Sequence, residues 1–139
     1  MIILSFDFGI KSIGVAVGQN ITKTAQILPS IKVKNKVINL KKFETLFFEW
    51  KPNYIIIGLP LNMNGTEQSL TKQSKKFSKK LFSHFKIPIH LHDERLTTVE
   101  AKSILFERNG FKSLKKNKID SLSAAIILES WFLNNKLIK

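Results

Sequence analysis

The chain opens on an apolar run interrupted by one acid, Ile2-Ile3-Leu4-Ser5-Phe6-Asp7-Phe8, followed by a turn at Gly9 to Ser12 and a second apolar run, Ile13-Gly14-Val15-Ala16-Val17. This pattern predicts two strands, the second with small residues that permit close approach of a neighbour. Thr24 to Leu28 reads as a third strand stopped by Pro29, which makes an antiparallel meander. The period then changes. Val37, Leu40, Phe43, Leu46, Phe47 and Trp50 recur at three and four residues, as expected for an amphipathic helix ending near Pro52. Tyr54-Ile55-Ile56-Ile57-Gly58 is a short β-branched run suited to a central strand buried on both faces. After a Pro/Asn/Gly loop from Leu59 to Thr66, Leu70, Phe77, Leu81 and Phe85 share one face of a second helix. Pro88 to Leu91 gives a fifth strand, Thr97 to about Arg108 a third helix, and about Lys118 to Leu133 a last one, joined by a break at Gly110 and the loop Lys112 to Lys118. The order βββαβαβαα predicts an α/β fold, a five-stranded mixed sheet flanked by helices. No repeat or linker divides it, so residues 1–139 are expected to form a single domain.

Composition narrows the chemistry. There is no cysteine, which removes disulfides, thiolate catalysis and Cys-ligated zinc together. No apolar run reaches the roughly 18 residues of a membrane span, and Met1-Ile2-Ile3 leads straight into a strand without a basic leader. A cytoplasmic protein with no membrane attachment is expected. The net charge of +13 favours a polyanionic partner. Of the 23 basic residues only Arg95 and Arg108 are arginines. Lys, Ile and Asn share A/T-rich codons, so genome bias also feeds this charge, and the placement of lysines says more than their number.

With ten acids in the chain, their positions matter. Asp7 ends the first strand, Asp93 and Glu94 follow the fifth, and Asp120 falls in the first turn of the last helix. If strands one and five run parallel, their C-terminal ends share the sheet edge where open α/β sheets place ligands. Three or four carboxylates then converge. Such a cluster suits phosphodiester hydrolysis with Mg²⁺ or Mn²⁺, hard cations that take oxygen ligands; two such ions about 4 Å apart activate water on one side and stabilise the leaving oxygen on the other. Each acid also has a local role open to it. Asp7 before Gly9 fits a turn former, Asp120 a helix-start charge, and Asp93 a helix cap or a partner of Arg95. Local roles leave the common placement unexplained.

Four segments carry a resemblance to a known family. Phe6-Asp7-Phe8-Gly9-x-Lys11-Ser12-Ile13-Gly14-Val15-Ala16, Gly58-Leu59-Pro60-Leu61-x-Met63-x-Gly65-Thr66-Glu67, Asp93-Glu94-Arg95-Leu96-Thr97-Thr98-x-Glu100-Ala101 and Asp120-Ser121-x-Ser123-Ala124 resemble, in order and over nearly the whole chain, the YqgF/RuvX family. That family is ribonuclease H-like and similar to RuvC-type Holliday junction resolvases, and its members are described as pre-16S rRNA nucleases. The resemblance implies an endonuclease acting on RNA in 5′-end maturation of pre-16S ribosomal RNA, with precursor small-subunit rRNA or a ribosomal particle as partner, as a monomer or homodimer. Two alternatives stay open: a Holliday junction resolvase cutting branched DNA, and a nonenzymatic RNA-binding ribosome-assembly factor. By the same resemblance Asp7 is the central metal ligand and Asp120 the acid of the last helix. RuvC-type enzymes carry a Glu after strand four, where this chain has Gly58-Leu59-Pro60. Asp93 and Glu94 are the available substitutes, with Glu94 preferred as the catalytic one. A second acid of the last helix is replaced here by Ser123.

Other residues fit nucleic-acid binding to different degrees. Lys72, Lys75, Lys76, Lys79 and Lys80 fall within an arc of about 140° on the second helix, a stripe able to track phosphates or simply a solvated face. Arg95, beside the acids, is placed to grip a phosphate or orient a carboxylate, and Lys11 to approach the scissile phosphate. Thr66 is a candidate helix cap. The loop lacks a P-loop ending, which argues against nucleotide hydrolysis. His90 and His92 alternate along strand five and read as packing or solvated residues. Trp50, Phe82, Phe85 and Trp131 are expected in the core.

Overall fold

The computed structural model describes residues 1–96 and 121–134. The expected third helix, the Lys112–Lys118 loop and Asp120 lie outside the described residues. The elements are β1 (Ile2–Phe8), β2 (Ser12–Gln19), β3 (Thr24–Lys32), α1 (Leu40–Trp50), β4 (Tyr54–Leu59), α2 (Ser69–Phe85), β5 (Ile89–Asp93), a 3₁₀ turn (Glu94–Leu96) and a helix here labelled α3 (Leu122–Asn134). They build one five-stranded sheet of order β3-β2-β1-β4-β5. β1, β2 and β3 pair antiparallel, whereas β1, β4 and β5 are parallel, so β1, β4 and β5 end on the same sheet edge.

Alternation along the strands sends side chains to two cores. Leu4, Phe6, Ile55 and Ile57 face α1 and α2, where Phe6, Phe43 and Phe77 meet with ring centroids 5.5 to 5.9 Å apart. Ile3, Ala16, Ala25 and Ile56 face α3. Small residues on that face let α3 lie close. Ser5 Oγ donates to the Ala124 carbonyl at 2.7 Å, and the Val15 amide donates to Ser121 Oγ at 2.9 Å. These two bonds fix the first turn of α3 against β1 and β2.

Four local expectations are corrected. β3 runs through Pro29 to Lys32, because it is an edge strand with a register shift opposite Ile13 to Val15, where a missing N–H breaks no ladder. Val37 does not join α1: it closes the Lys34–Val37 turn and is exposed, and Asn39 caps the helix by accepting from the Lys41 amide at 3.1 Å. Thr66 does not cap α2 either. It bonds to Asn64 and Asn62 within the loop, and a box formed by Gln68 and Thr71 starts the helix. Of the expected core aromatics, Trp131 is buried while Phe82 stands exposed on α2.

Candidate active site

Asp7 is half-buried at the end of β1 on the face covered by α3, because it shares the alternation of Ile3 and Ser5. Gly14 is its register partner on β2 and adds no side chain on that face. With the first turn of α3 held by Ser5 and Ser121, the Ser123 hydroxyl donates to the Asp7 carboxylate. Burial raises the Asp7 pKa above the ordinary carboxylate value, and the Ser123 bond offsets part of that rise. Ser123 thus stands where the resemblance leads one to expect an acid, and it bonds to Asp7.

Glu94 begins the turn after β5. Leu59 pairs with Asp93, so the chain beyond Asp93 passes the end of β4, and the Glu94 carboxylate folds back over that strand. A Cβ added to Gly58 would lie 3.0 Å from Glu94 Oε2 and 2.4 Å from Ile127 Cδ1. The missing side chain of Gly58 therefore leaves space that Ile127 fills most closely, with the Glu94 carboxylate beside it. Its pKa is pushed up to about 7, first by burial, then by the negative charge of Asp7, then by that of Asp93. Two acids from different strands share one poorly hydrated corner.

Asp93 is engaged differently. Arg95 Nε lies 3.1 Å from both its oxygens, Arg95 Nη2 2.7 Å from Oδ2, and the Arg95 amide 2.9 Å from Oδ1. This clasp, with the guanidinium first, holds the Asp93 carboxyl below its ordinary pKa. Arg95 Nη1 also donates to the Met63 carbonyl at 3.2 Å and lies 3.4 Å from where a Cβ on Gly65 would sit. Asp93 and Arg95 thus bracket Glu94 and tie its turn to the β4–α2 loop. Arg95→Ala is expected to lower the cleavage rate about 10- to 100-fold, the usual cost of removing a group that orients a ligand, with RNA affinity nearly unchanged. An equal loss in affinity and rate, measured by single-turnover cleavage and anisotropy, would make Arg95 a phosphate grip instead.

The remaining predicted residues are more dispersed. Lys11 is exposed in the β1–β2 turn, and Lys72, Lys76 and Lys79 are exposed on α2, while Lys75 pairs with Glu67. His92 is buried with Nε2 3.0 Å from Ser130 Oγ, and burial drives its pKa down to about 4, so it packs as a neutral ring; His90 is half-buried. Among the described residues no three His, Cys, Asp or Glu side chains form a metal-binding group; Asp120 lies outside them.

A family model described as RuvX, Holliday junction resolvase, matches residues 1–134. The chain belongs to the RuvX family. A relative from Buchnera aphidicola subsp. Baizongia pistaciae, named "putative pre-16S rRNA nuclease", is 66% identical over 136 residues, 98% of this chain and 99% of that one. One of the same name from Actinobacillus pleuropneumoniae is 57% identical, covering 94% of this chain and 95% of its own. The fold also resembles Thermus thermophilus RuvC, solved in complex with a Holliday junction substrate, with a TM-score of 0.61 at 11% identity over 100% of this chain and 98% of that one. At that identity the likeness is one of fold: the two chains share an α/β architecture. Among the described residues no helix is long and apolar enough to cross a membrane.

Proposed function

We propose that this RuvX-family chain is a metal-dependent endonuclease that hydrolyses a phosphodiester bond of precursor small-subunit ribosomal RNA during 5′-end maturation. The observation that carries the reading is the placement of Asp7 at the end of β1 and of Glu94 in the turn after parallel β5, near enough for the charge of Asp7 to raise the Glu94 pKa. The names of the curated relatives support the RNA substrate.

The fold family implies a divalent cation, and the residues fit one. Two part-buried carboxylates, both held above their ordinary pKa by burial and one of them, Glu94, raised further by the charge of Asp7, form an oxygen donor set lacking its counter-charge. Asp7 and Glu94 would hold Mg²⁺ or Mn²⁺, with Asp120 joining from the segment before α3 by family resemblance. When bound, the ion supplies the charge that activates water and stabilises the leaving oxygen. The protein's own part is positioning. Ser123 fixes the Asp7 carboxylate, Asp93 and Arg95 fix the backbone on either side of Glu94, and Lys11 lies one turn from Asp7 to meet the strand's phosphates. The net charge of +13 draws the polyanion in.

The test is to incubate the protein with precursor small-subunit rRNA and with a synthetic four-way DNA junction, each in Mg²⁺, Mn²⁺ or EDTA. Cutting of the RNA with metal, and of neither substrate in EDTA, is the expected result. Preferential cutting of the junction would make the chain a resolvase. Binding of RNA without cutting under any condition would make it an assembly factor.

A further inference from the structure

We infer that the strand flanking the scissile phosphate leaves the active site over the end of β1, seats one unpaired base in an apolar slot, and runs on along a lysine-lined groove. The inference rests on the RNA reading of the site. The slot is a cavity of about 230 Å³ bounded by Phe8, Ile10, Val33 and Ile38, with Lys36 and Gln73 as its polar members. Phe8 directly follows Asp7 but points to the opposite face, where its ring packs on Phe77 at 5.3 Å. The wall is tied to the catalytic turn, because the Val33 amide donates to the Lys11 carbonyl at 3.0 Å. Apolar walls with two polar groups suit a base, which offers a flat face for stacking and an edge for hydrogen bonds.

Ile38 also borders a second cavity of about 490 Å³, whose lining includes Lys32, Lys34, Lys41 and Lys42. Among the described residues no Asp or Glu lines either cavity. A cavity of about 440 Å³ beside Gly18, Thr22 and Trp50 has no lysine among the described residues of its lining, and one beside Lys42 and Trp50 includes Glu49. The one-signed lining therefore marks the track that begins at the catalytic end of the sheet, where Lys32 pairs with Ser12. An apolar slot followed by clustered lysines matches single-stranded RNA, one base stacked and the next phosphates neutralised.

The test measures RNA binding by fluorescence anisotropy in EDTA, so that nothing is cut, using the full chain and an oligonucleotide spanning the 5′ processing region. Replacing Lys34, Lys41 and Lys42 together by Ala is expected to reduce the slope of log affinity against log salt by about 2 to 3, near one per lost phosphate contact. Replacing Lys72, Lys76 and Lys79 is expected to change it less. Removing the base at successive RNA positions is expected to weaken binding about tenfold at one position, a loss that vanishes in Ile10→Asp, which places a charge at the slot's lip. An unchanged slope in the groove variant, or a slope loss confined to the α2 variant, overturns the groove. An abasic scan that is flat, or identical in Ile10→Asp, overturns the slot. A wild type that cuts RNA while either fails leaves the nuclease reading standing alone. Both effects in a protein that never cuts would uphold the track and sink the nuclease.

Discussion

Asp7→Asn is expected to lower RNA cleavage by more than about 100-fold, beyond the upper end of what orienting groups cost, while the metal-free protein becomes no less stable. The two halves of this result have one cause. Burial disfavours the charged form of Asp7, so its carboxylate is held against its own preference by the fold. An amide of the same shape keeps the bond from Ser123 and relieves the desolvation, but it offers a cation no charge. A thermal melt in EDTA and a single-turnover assay in Mg²⁺ separate the effects. If activity falls only in proportion to lost folded protein, Asp7 is the turn former that its sequence neighbourhood also allows.

Glu94→Gln is expected to remove a pH dependence of stability that the wild type shows without metal. The Glu94 pKa rises on folding from 4.5 to about 7, so the folded state holds the proton more tightly than the unfolded chain. The Glu94 contribution to wild-type stability is then fully present below pH 4.5, is lost as pH rises towards 7, and changes no further above it. After allowance for solvent at this partly exposed group, the loss amounts to about 1–2 kcal/mol. At pH 8 in EDTA the Gln variant should therefore be the more stable protein. Mg²⁺ should reverse the order, because binding stabilises only the folded state that carries both carboxylates. Cleavage by the variant should fall about 100-fold or more, as for a ligand. Since Asp7 contributes to the Glu94 shift, Asp7→Asn should shrink the wild-type pH effect as well. Parallel melting curves for wild type and Glu94→Gln from pH 4 to 8 would contradict the pairing of these groups.

The strands and their alternation were legible because burial imposes period two on β1 and β4 and period near 3.6 on α1 and α2. Even the parallel relation of β1, β4 and β5 was reachable, since the crossover helices leave little choice. The failures were local. Pro29 stops a strand only if its N–H is needed, and on an edge it is not. Thr66 and Gln68 are both polar residues ahead of α2, and only the path of the loop decides which one caps it.

The site divides in the same way. Sequence alone marked Asp7, Asp93, Glu94 and Asp120 as acids at element ends, because charge in an apolar context is conspicuous. It left Asp93 and Glu94 nearly equivalent, since adjacent residues have the same composition and the same distance along the chain from every motif. Tertiary structure separated them. Arg95 clasps Asp93, while the missing side chain of Gly58, remote in sequence, leaves space beside the Glu94 carboxylate. The candidate acids were legible in the chain; which of them come near one another was decided by packing across strands, where the absent Cβ of Gly58 on β4 leaves room for Ile127 and for the Glu94 carboxylate from the turn after β5.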